Sequence, residues 1–450
     1  MSESAQSSAS SGETSAAEAL PPDPHSPGAA SDDPARARAT IRALVVLLLY
    51  QGFTMAILGI ASPWIAKSFG LDQSGIARVF AWISISSIGA LALSRFVDRL
   101  GRRRVLLWCL GVMPFCALGA AASTNLAAFI CFEILIYAFI GAAIAGSIVM
   151  FSEELPVAQR AKGQSYGGIA TALGGGICVV LMPLLDSTGY SWRWLLVLDG
   201  AGILLLPVVA RGLPESRRWA RAAADGVATR TRFYDIFHPL YRSRAITLII
   251  CSFLTTVAAT ATGSWTYFHA VSVVGLSAAT ASTLVMVGGG VALLGFPWGA
   301  WAAERFGRVR TIVALALVVV TGALAFYWGP PAGFAWPALA LGGAFCWFAV
   351  ASNASTVAGN TAVTELFPTA LRGTMIGWFS LIGAVGAITA HATVSLLAAR
   401  MGGLSVVVGY LAMLSLPSAM LFGLMISETR GMTLEASGDE DAFRASAASR

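Results

Sequence analysis

The sequence predicts an all-α membrane protein with twelve transmembrane helices in two pseudo-symmetric six-helix bundles. Three observations lead to this fold class. Apolar residues form 56% of the 450-residue chain and charged residues only 12%, with a mean hydropathy of +0.73, so a water-facing surface could not be covered. The apolar residues fall into twelve runs of about 20 residues, the length of a bilayer-spanning helix. One short polar motif recurs in each half, which indicates an internal duplication.

The predicted spans follow one another with short polar turns, except between the sixth and the seventh. Their ranges are 42–66, 76–97, 105–122, 126–150, 164–185, 193–211, 245–268, 278–300, 309–328, 336–361, 373–397 and 403–426. The first 40 residues are rich in Ser, Ala, Pro and Asp, which predicts a disordered tail and not a signal peptide. The predicted domains are this tail (1–40), a first bundle (41–211), a link (212–244), a second bundle (245–427) and a tail (428–450).

Arginine distribution predicts the orientation in the membrane. Arginines cluster after the second, fourth, sixth and eighth spans, whereas loops on the other side carry scattered charges such as Lys67 and Asp72. The positive-inside rule therefore places both termini in the cytoplasm of a multi-pass protein of the cytoplasmic membrane. The same distribution explains the net charge of +6 without a nucleic-acid partner.

Several chemistries are excluded by missing motifs. The two lysines, Lys67 and Lys162, each follow an alanine, so the Gly-Lys pair of a phosphate-binding loop does not occur. No Gly-x-Ser-x-Gly motif is present, and all six cysteines fall inside predicted spans without metal-ligand spacing. We therefore expect no enzyme activity, no cofactor and no metal site.

The recurring motif carries a family resemblance. It reads Asp98-Arg99-Leu100-Gly101-Arg102-Arg103 in the first half and Glu304-Arg305-Phe306-Gly307-Arg308 in the second. Residues 94–103 resemble the motif between spans two and three of the major facilitator superfamily, with Ser94 in place of the first glycine. Four more segments at the predicted cytoplasmic edge resemble the branch of sugar porters, metabolite:proton symporters and organic-ion transporters. They are Ser152–Pro156, Leu213–Trp219, Thr364–Gly373 and Glu428–Glu435.

The resemblance implies a cytoplasmic gate. In this family acidic and arginine side chains at the helix ends join the two halves when the cytoplasmic mouth is shut. The residues matching these positions are Asp98, Arg99, Arg102, Arg103, Glu153, Arg160, Glu304, Arg305, Arg308, Glu365 and Arg372. Some of them could instead only mark helix ends or solvate loops, where exposed ion pairs contribute about 0 to 1 kcal/mol.

The resemblance also implies that spans one, four, seven and ten line a central cavity. Glu133 lies about seven residues into span four, roughly 10 Å from its outer end. Relatives often carry arginine at this position, so the charge is inverted here. Glu133 could carry a coupling proton, bind a cationic substrate, or be a neutral carboxylic acid held by a neighbouring helix. On the same span, Tyr137 lies one turn away.

The remaining site candidates are polar or aromatic residues within the spans. In span one Gln51 and Thr54 form a polar strip and replace the acidic residues of aromatic-acid relatives. Span seven lacks the paired glutamines of sugar porters, which disfavours a hexose, and has Trp265 and His269 at helical spacing four. Span ten offers Asn353, for which interhelical hydrogen bonding is an alternative. The roles of Asp199 in span six and His391 in span eleven stay open.

These features predict a secondary active transporter working by alternating access. It would move a small polar or charged organic metabolite, with proton symport as the expected mode and a monomer as the expected state. An uncoupled facilitator or exporter, and a transporter-like sensor without transport, are the alternatives. Substrate identity and stoichiometry do not follow from the sequence.

Overall fold

A computed structural model of the chain describes residues 34–155, 157–216, 234–329, 336–367 and 369–428. Across these ranges the chain is almost entirely helical, and the described residues contain no strand. Eleven helical segments among them are long and apolar enough to cross a membrane. The predicted all-α membrane class is confirmed at this level. The fold is also duplicated in its helix order.

The first half comprises α1 to α8 in its described part. Their bounds are α1 Pro34–Ser68, α2 Gln73–Ser84, α3 Ser86–Leu100, α4 Arg102–Ala122, α5 Leu126–Glu154, α6 Val157–Ser187, α7 Arg193–Gly200 and α8 Leu206–Gly212, with a 3₁₀ turn between α7 and α8. α1 begins inside the tail predicted for 1–40, because its polar first turns continue the helix beyond the apolar span. Arg36 holds this extension to α5, since its Nε lies 2.9 Å from Glu154 Oε2.

The second half comprises α9 to α16 in its described part. Their bounds are α9 Arg242–Ser264, α10 Ala278–Ala292, α11 Gly295–Phe306, α12 Arg308–Tyr327, α13 Pro337–Glu365, α14 Thr369–Leu397, α15 Leu404–Ala412 and α16 Ser415–Met425. After α9 the chain continues through a short helical turn, Thr266–Phe268, and a π-helical turn, His269–Val273. Residues 217–233 of the predicted link lie outside the described part.

Several predicted spans are interrupted helices. The second one, 76–97, consists of α2 and α3, which meet at Ile85, and it is the span that is not among the eleven segments. Ser84 Oγ donates to the Phe80 carbonyl oxygen at 2.8 Å, and such serine back-bonding bends helices. Similar interruptions separate α10 from α11 and α15 from α16. Because the apolar runs continue across them, the sequence pattern does not predict these interruptions.

Close helix packing in the first half depends on glycine. A Cβ at Gly52 on α1 would lie 2.0 Å from the Thr171 carbonyl oxygen on α6. A Cβ at Gly174 on α6 would lie 1.9 Å from the Leu49 carbonyl oxygen on α1. The two backbones therefore touch at reciprocal points, which is how small residues allow membrane helices to associate.

The recurring polar motif has the same geometry in both halves. Gly101 and Gly307 both adopt φ of 98°, a left-handed conformation that favours glycine. In the first half Glu215 Oε1 accepts from the Arg103 backbone N–H at 3.1 Å. In the second half Glu428 Oε1 accepts from the Arg308 backbone N–H at 2.8 Å. Each carboxylate thus caps the helix that starts after the glycine, so the duplication extends to local hydrogen bonding.

Among the described residues, contacts between the two halves gather at one end of the molecule. The end that carries residues 68–73 is termed the distal end, and the end where α1 begins and α16 ends is termed the proximal end. At the distal end α2 packs against α14. Gln73 Oε1 accepts from the Leu404 backbone N–H at 2.8 Å, and the Trp64 and Tyr267 rings lie 6.2 Å apart. These contacts close the distal end between the halves.

The glycine contact leads to a stability prediction. Gly174→Ala places a methyl group against the α1 backbone, so we expect the unfolding free energy to fall by about 1 to 3 kcal/mol or more. Gly176→Ala on the same helix is the matched control, because a Cβ there meets no atom within 4 Å. Thermal unfolding of the purified proteins in detergent measures the difference. Equal melting temperatures for the two variants would contradict the packing described here.

Candidate functional site

A buried polar cluster lies between α1 and α7 in the first half. Thr54 on α1 donates from Oγ1 to Asp199 Oδ1 at 2.7 Å, and both side chains are buried. The tyrosine one turn earlier, Tyr50, interacts electrostatically with the same carboxyl group. The sequence left the role of Asp199 open. The structure brings it directly against the predicted site residue Thr54.

Glu133 belongs to the same cluster. It lies on α5 with only 3% of its surface exposed, and its carboxyl group interacts with that of Asp199. Tyr137, one turn along, donates its hydroxyl to the Met55 carbonyl oxygen at 3.0 Å and also interacts with Glu133. Neither carboxyl group interacts with a described Lys or Arg side chain. Two acids are thus buried together without a described counter-charge.

Other polar atoms in this region also lack hydrogen bonds. Both amide atoms of Gln51 are buried without a hydrogen-bond partner among the described residues, whereas the Tyr50 hydroxyl and the Asp199 carboxyl group interact with each other. A buried polar group without a partner costs about 1 to 3 kcal/mol, so native structures contain few of them. The two amide atoms of Gln51, beside two buried acids, indicate a site whose polar groups serve a ligand, a proton or a second conformation.

A second cluster lies where the halves meet. His391 on α14 and Trp265, directly after α9, pack with their ring centroids 5.9 Å apart. Phe80 on α2 contacts both, at 4.6 Å from Trp265 and 5.4 Å from His391. Ser84, also on α2, has its Oγ 2.7 Å from His391 Nδ1. This junction therefore joins one helix of the first half to two segments of the second.

Trp265 and His269 contact different partners. A helical hydrogen bond of 2.8 Å joins the His269 N–H to the Trp265 carbonyl oxygen, as their spacing predicts, and the π-helical turn begins at His269. Trp265 contacts the first half through Phe80. His269 stays within the second half, where its Nδ1 lies 2.8 Å from Ser405 Oγ and its ring packs on Tyr327.

Asn353 supplies a hydrogen bond to a backbone carbonyl at a helix interruption. Its Nδ2 donates to the Ala292 carbonyl oxygen at 2.8 Å, at the last residue of α10. Because α10 ends there, that carbonyl has lost its regular helical partner, and the amide of a neighbouring helix replaces it. The side chain is half-buried. This contact matches the interhelical alternative, and a cavity-lining role remains a prediction.

The predicted gate is described only in part. Arg103 donates from Nε to the Leu213 carbonyl oxygen at 2.7 Å, which ties α4 to the end of α8 within the same half. Arg102 is buried, whereas Glu304 and Arg305 are exposed. Arg308 donates its backbone N–H to Glu428. The remaining gate side chains lie outside the described part; they are those of Asp98, Arg99, Glu153, Arg160, Glu365 and Arg372.

Sequence reasoning missed three carboxylates in structural roles. Glu215 and Glu428 cap helices. Glu154 pairs with Arg36, whereas the sequence had identified its neighbour Glu153 as a gate residue. The signal was available for the first two, since both lie in the segments that carry the family resemblance. Their matching positions after the sixth and twelfth spans, beside the duplicated glycine turn, could have indicated matching caps.

The Thr54 contact is testable by substitution. Thr54→Val keeps the shape of the side chain but leaves the buried Asp199 Oδ1 without its donor, so we expect the unfolding free energy to drop by about 1 to 3 kcal/mol. Thr54→Ser keeps the hydroxyl and should retain most of the stability. Thermal unfolding at neutral pH compares them. If both variants melt together, the hydrogen bond does not contribute as described.

Comparison with known proteins agrees with this architecture. The chain is 23% identical to a gentisate transporter of Corynebacterium glutamicum over 78% of its length and 79% of that protein. It is 26% identical to a gallate transporter of Pseudomonas putida over 76% of its length and 81% of that protein. The crystal structure of a D-xylose-proton symporter superposes with a TM-score of 0.68 at 18% identity, over 88% of this chain and 99% of that one.

A family model assigns most of the chain. The model described as Major Facilitator Superfamily matches residues 43–391, which include the duplicated glycine turns and both polar clusters. The sequence motifs, the all-helical architecture and this match agree, and the relatives are transporters and not enzymes. The chain therefore belongs to the Major Facilitator Superfamily.

Proposed function

We propose that this protein is a proton-coupled secondary active transporter of a small polar or charged organic metabolite. It works by alternating access in the cytoplasmic membrane. The observation that carries the coupling is the buried pair Glu133 and Asp199, which has no described counter-charge. A carboxyl group deep in a membrane protein is costly when ionised and unpaired, so groups kept there mark ion or substrate pathways.

Twelve crossings in two six-helix bundles are part of the proposal. The helices α2 and α3 together run from Gln73 to Leu100, which is about 40 Å at 1.5 Å per residue and enough for one crossing. Counting this interrupted pair with the eleven long segments makes each half a bundle of six. The predicted link 212–244 then joins the bundles on the proximal side, where α1 begins, α16 ends and the turns at Gly101 and Gly307 lie. The positive-inside rule assigns that side to the cytoplasm.

The orientation is testable by cysteine labelling. In a variant without native cysteines, Tyr234→Cys places a thiol in the exposed part of the link, and Arg400→Cys places one at the distal end. We expect a membrane-impermeant maleimide to label Arg400→Cys on intact cells and to label Tyr234→Cys only after permeabilisation. Labelling of Tyr234→Cys on intact cells would contradict the orientation, and labelling of both variants on intact cells would contradict their placement on opposite sides of the membrane.

Alternating access is supported by the distal contacts. The seal between the halves combines Gln73 with Leu404 and Trp64 with Tyr267, and none of these contacts is an ion pair. Contacts of this modest strength can separate in every transport cycle. At the proximal end we assign the gate to the acidic and arginine side chains of the duplicated motif. The two ends would then open in turn about the buried clusters.

Two relatives suggest the first substrates to test. Gentisate and gallate, named in those relatives, are hydroxylated aromatic acids. The rings of Phe80, Trp265 and His391 cluster at the junction of the halves, and such a cluster favours a substrate with a flat aromatic ring. A proton taken up with such an anion would neutralise its charge during passage. Hydroxylated benzoates are therefore the leading candidates within the broader class of small polar metabolites.

The coupling role of Glu133 is tested in proteoliposomes. With gentisate or gallate as labelled probe, or a metabolite selected by thermal shift, Glu133→Gln should lower accumulation driven by a pH gradient but keep counterflow exchange. The amide removes the titrating proton and leaves the binding site in place. Glu133→Asp, which retains a carboxyl group, should preserve some pH-driven accumulation.

The alternatives give different outcomes in the same assay. An uncoupled facilitator would equilibrate the probe regardless of the pH gradient, in the wild type as well as in the variant. An exporter would concentrate the probe on the other side. A sensor would show a ligand-induced rise in melting temperature without flux. Unchanged accumulation by Glu133→Gln would remove Glu133 from the coupling mechanism.

A further inference from the structure

The junction between the halves contains two buried nitrogen atoms without partners. Trp265 Nε1 and His391 Nε2 have no hydrogen-bond partner among the described residues, and both side chains are buried. Indole Nε1–H can only donate. The two rings are in contact and nearly perpendicular, at 82°. An acceptor with two oxygen atoms is the ligand that could satisfy both nitrogens at once.

The hydrogen bonds of Ser84 constrain the protonation of His391. The hydroxyl has one proton, and its oxygen lies 2.8 Å from the Phe80 carbonyl oxygen, which can only accept. That proton therefore goes to the carbonyl, and the contact of 2.7 Å with His391 Nδ1 requires Nδ1–H to donate to the serine oxygen. In the neutral ring Nε2 then carries a lone pair. Addition of one proton at Nε2 produces an imidazolium with a second donor.

No described charge stabilises such an imidazolium. From α2, His391 is faced by Phe80 and Ser84, and from the segment after α9 by Trp265, all uncharged. Arg78 on α2 is exposed, and no carboxyl group or cation interacts with the ring. A buried imidazolium requires a counter-charge, which here has to come with the ligand.

We propose that Trp265 and His391 bind the carboxylate of the transported organic acid, with His391 protonated at Nε2 while the acid is bound. One carboxylate oxygen accepts from the indole N–H of Trp265 and the other from the imidazolium N–H of His391. The proton comes from water and returns to water when the acid leaves, so the bound pair is neutral. This inference rests on the proposed transport function and names its substrate class and a second protonation site, in the half opposite Glu133.

The position of the junction links this site to alternating access. Phe80 and Ser84 move with the first half, whereas Trp265 and His391 move with the second. A ligand can enter between these rings only when α2 separates from α14, which is the movement that opens the distal seal. His391 lies six residues before the end of α14, about 9 Å from the distal end. The site therefore lies directly beneath the seal that it would control.

The chemistry favours an anion over a cation. Trp265 offers only a donor, and an imidazolium repels cationic ligands. Phe80 packs on Trp265 and His391, so when α2 separates from α14 its ring is exposed to an aromatic ligand beside the carboxylate. A neutral amide of the same shape would supply one acceptor in place of two and no charge. It therefore separates carboxylate recognition from simple aromatic packing.

Binding of gentisate, gallate and benzoate to the full-length protein in detergent tests this proposal by titration calorimetry between pH 6 and 8. We expect at least one acid to bind, to bind up to about tenfold more tightly per unit decrease in pH, and to take up a proton, as seen in buffers of different ionisation enthalpy. The matching amides should bind at least about tenfold more weakly. Failure of all three acids to bind, or binding without proton uptake, would overturn the proposal without requiring any variant.

Two variants locate the site. Trp265→Phe keeps an aromatic ring and loses the N–H, and should weaken acid binding about tenfold without changing the weak amide binding. His391→Gln should abolish the pH dependence and the proton uptake. Trp328→Phe is the matched control, because the Trp328 N–H already donates to the Ser405 carbonyl oxygen. The affinity of this variant for the acids should stay unchanged. Wild-type affinities in Trp265→Phe and His391→Gln would place the carboxylate elsewhere.

The two proposals can fail separately. If the acids bind through Trp265 and His391 but no flux occurs in proteoliposomes, the transport proposal fails and the binding site stands. If the acids are transported and His391→Gln retains the wild-type pH dependence of binding, the transporter stands and this site fails. Glu133→Gln should still take up a proton when the acid binds, because that proton is assigned to His391.

Discussion

The apolar solvent around this chain imposes the constraint on which the rest of the structure depends. Within a bilayer, backbone and side-chain polar groups must find partners inside the protein. Where α10 ends, the Ala292 carbonyl oxygen is bonded by Asn353 from α13. Where α2 ends, the hydroxyl of Ser84 bonds the Phe80 carbonyl oxygen. Against this background, the buried polar atoms of Gln51, Trp265 and His391 that have no partner in the described part of the chain are informative, because each is retained at a cost in stability.

The sequence predicted where the helices lie better than where they are interrupted. Runs of apolar residues identify bilayer-length helices because length and hydrophobicity decide insertion. The duplicated Gly101 and Gly307 turns could be recognised because only a glycine-containing polar turn joins two spans so tightly. The interruptions at Ile85 and after Ala292 and Ser264 remained hidden, since side-chain hydrogen bonds cause or satisfy them and the hydrophobic pattern continues across. The tail was predicted too long for a similar reason, because a helix that leaves the bilayer loses its apolar signal.

For the candidate site, the sequence identified residue types and helices but not all contacts. Thr54 and Glu133 followed from polar groups at depth on the first and fourth spans. The contact between Thr54 and Asp199 could not be derived, because it depends on how α7 is rotated against α1. Trp265 and His269 lie at helical spacing, but their different partners, Phe80 and His391 for Trp265 and Tyr327 for His269, depend on the helices packed around them. The periodicity of the sequence therefore does not predict contacts that depend on how a helix is rotated or where it is interrupted.

The two halves are symmetric in their scaffold and asymmetric in their titratable groups. Both begin a helix after a left-handed glycine and cap it with a carboxylate from the end of the same half. The buried acids Glu133 and Asp199 lie in the first half, whereas the buried histidines lie in the second. Under the proposed mechanism, this symmetric scaffold allows the halves to rock against each other with little change inside either one. The proposed proton site in the first half and the proposed anion site in the second are then linked through the interface between the halves. Ser84, where α2 bends, lies in that interface and contacts His391, so we propose that this bend transmits movement between the two sites.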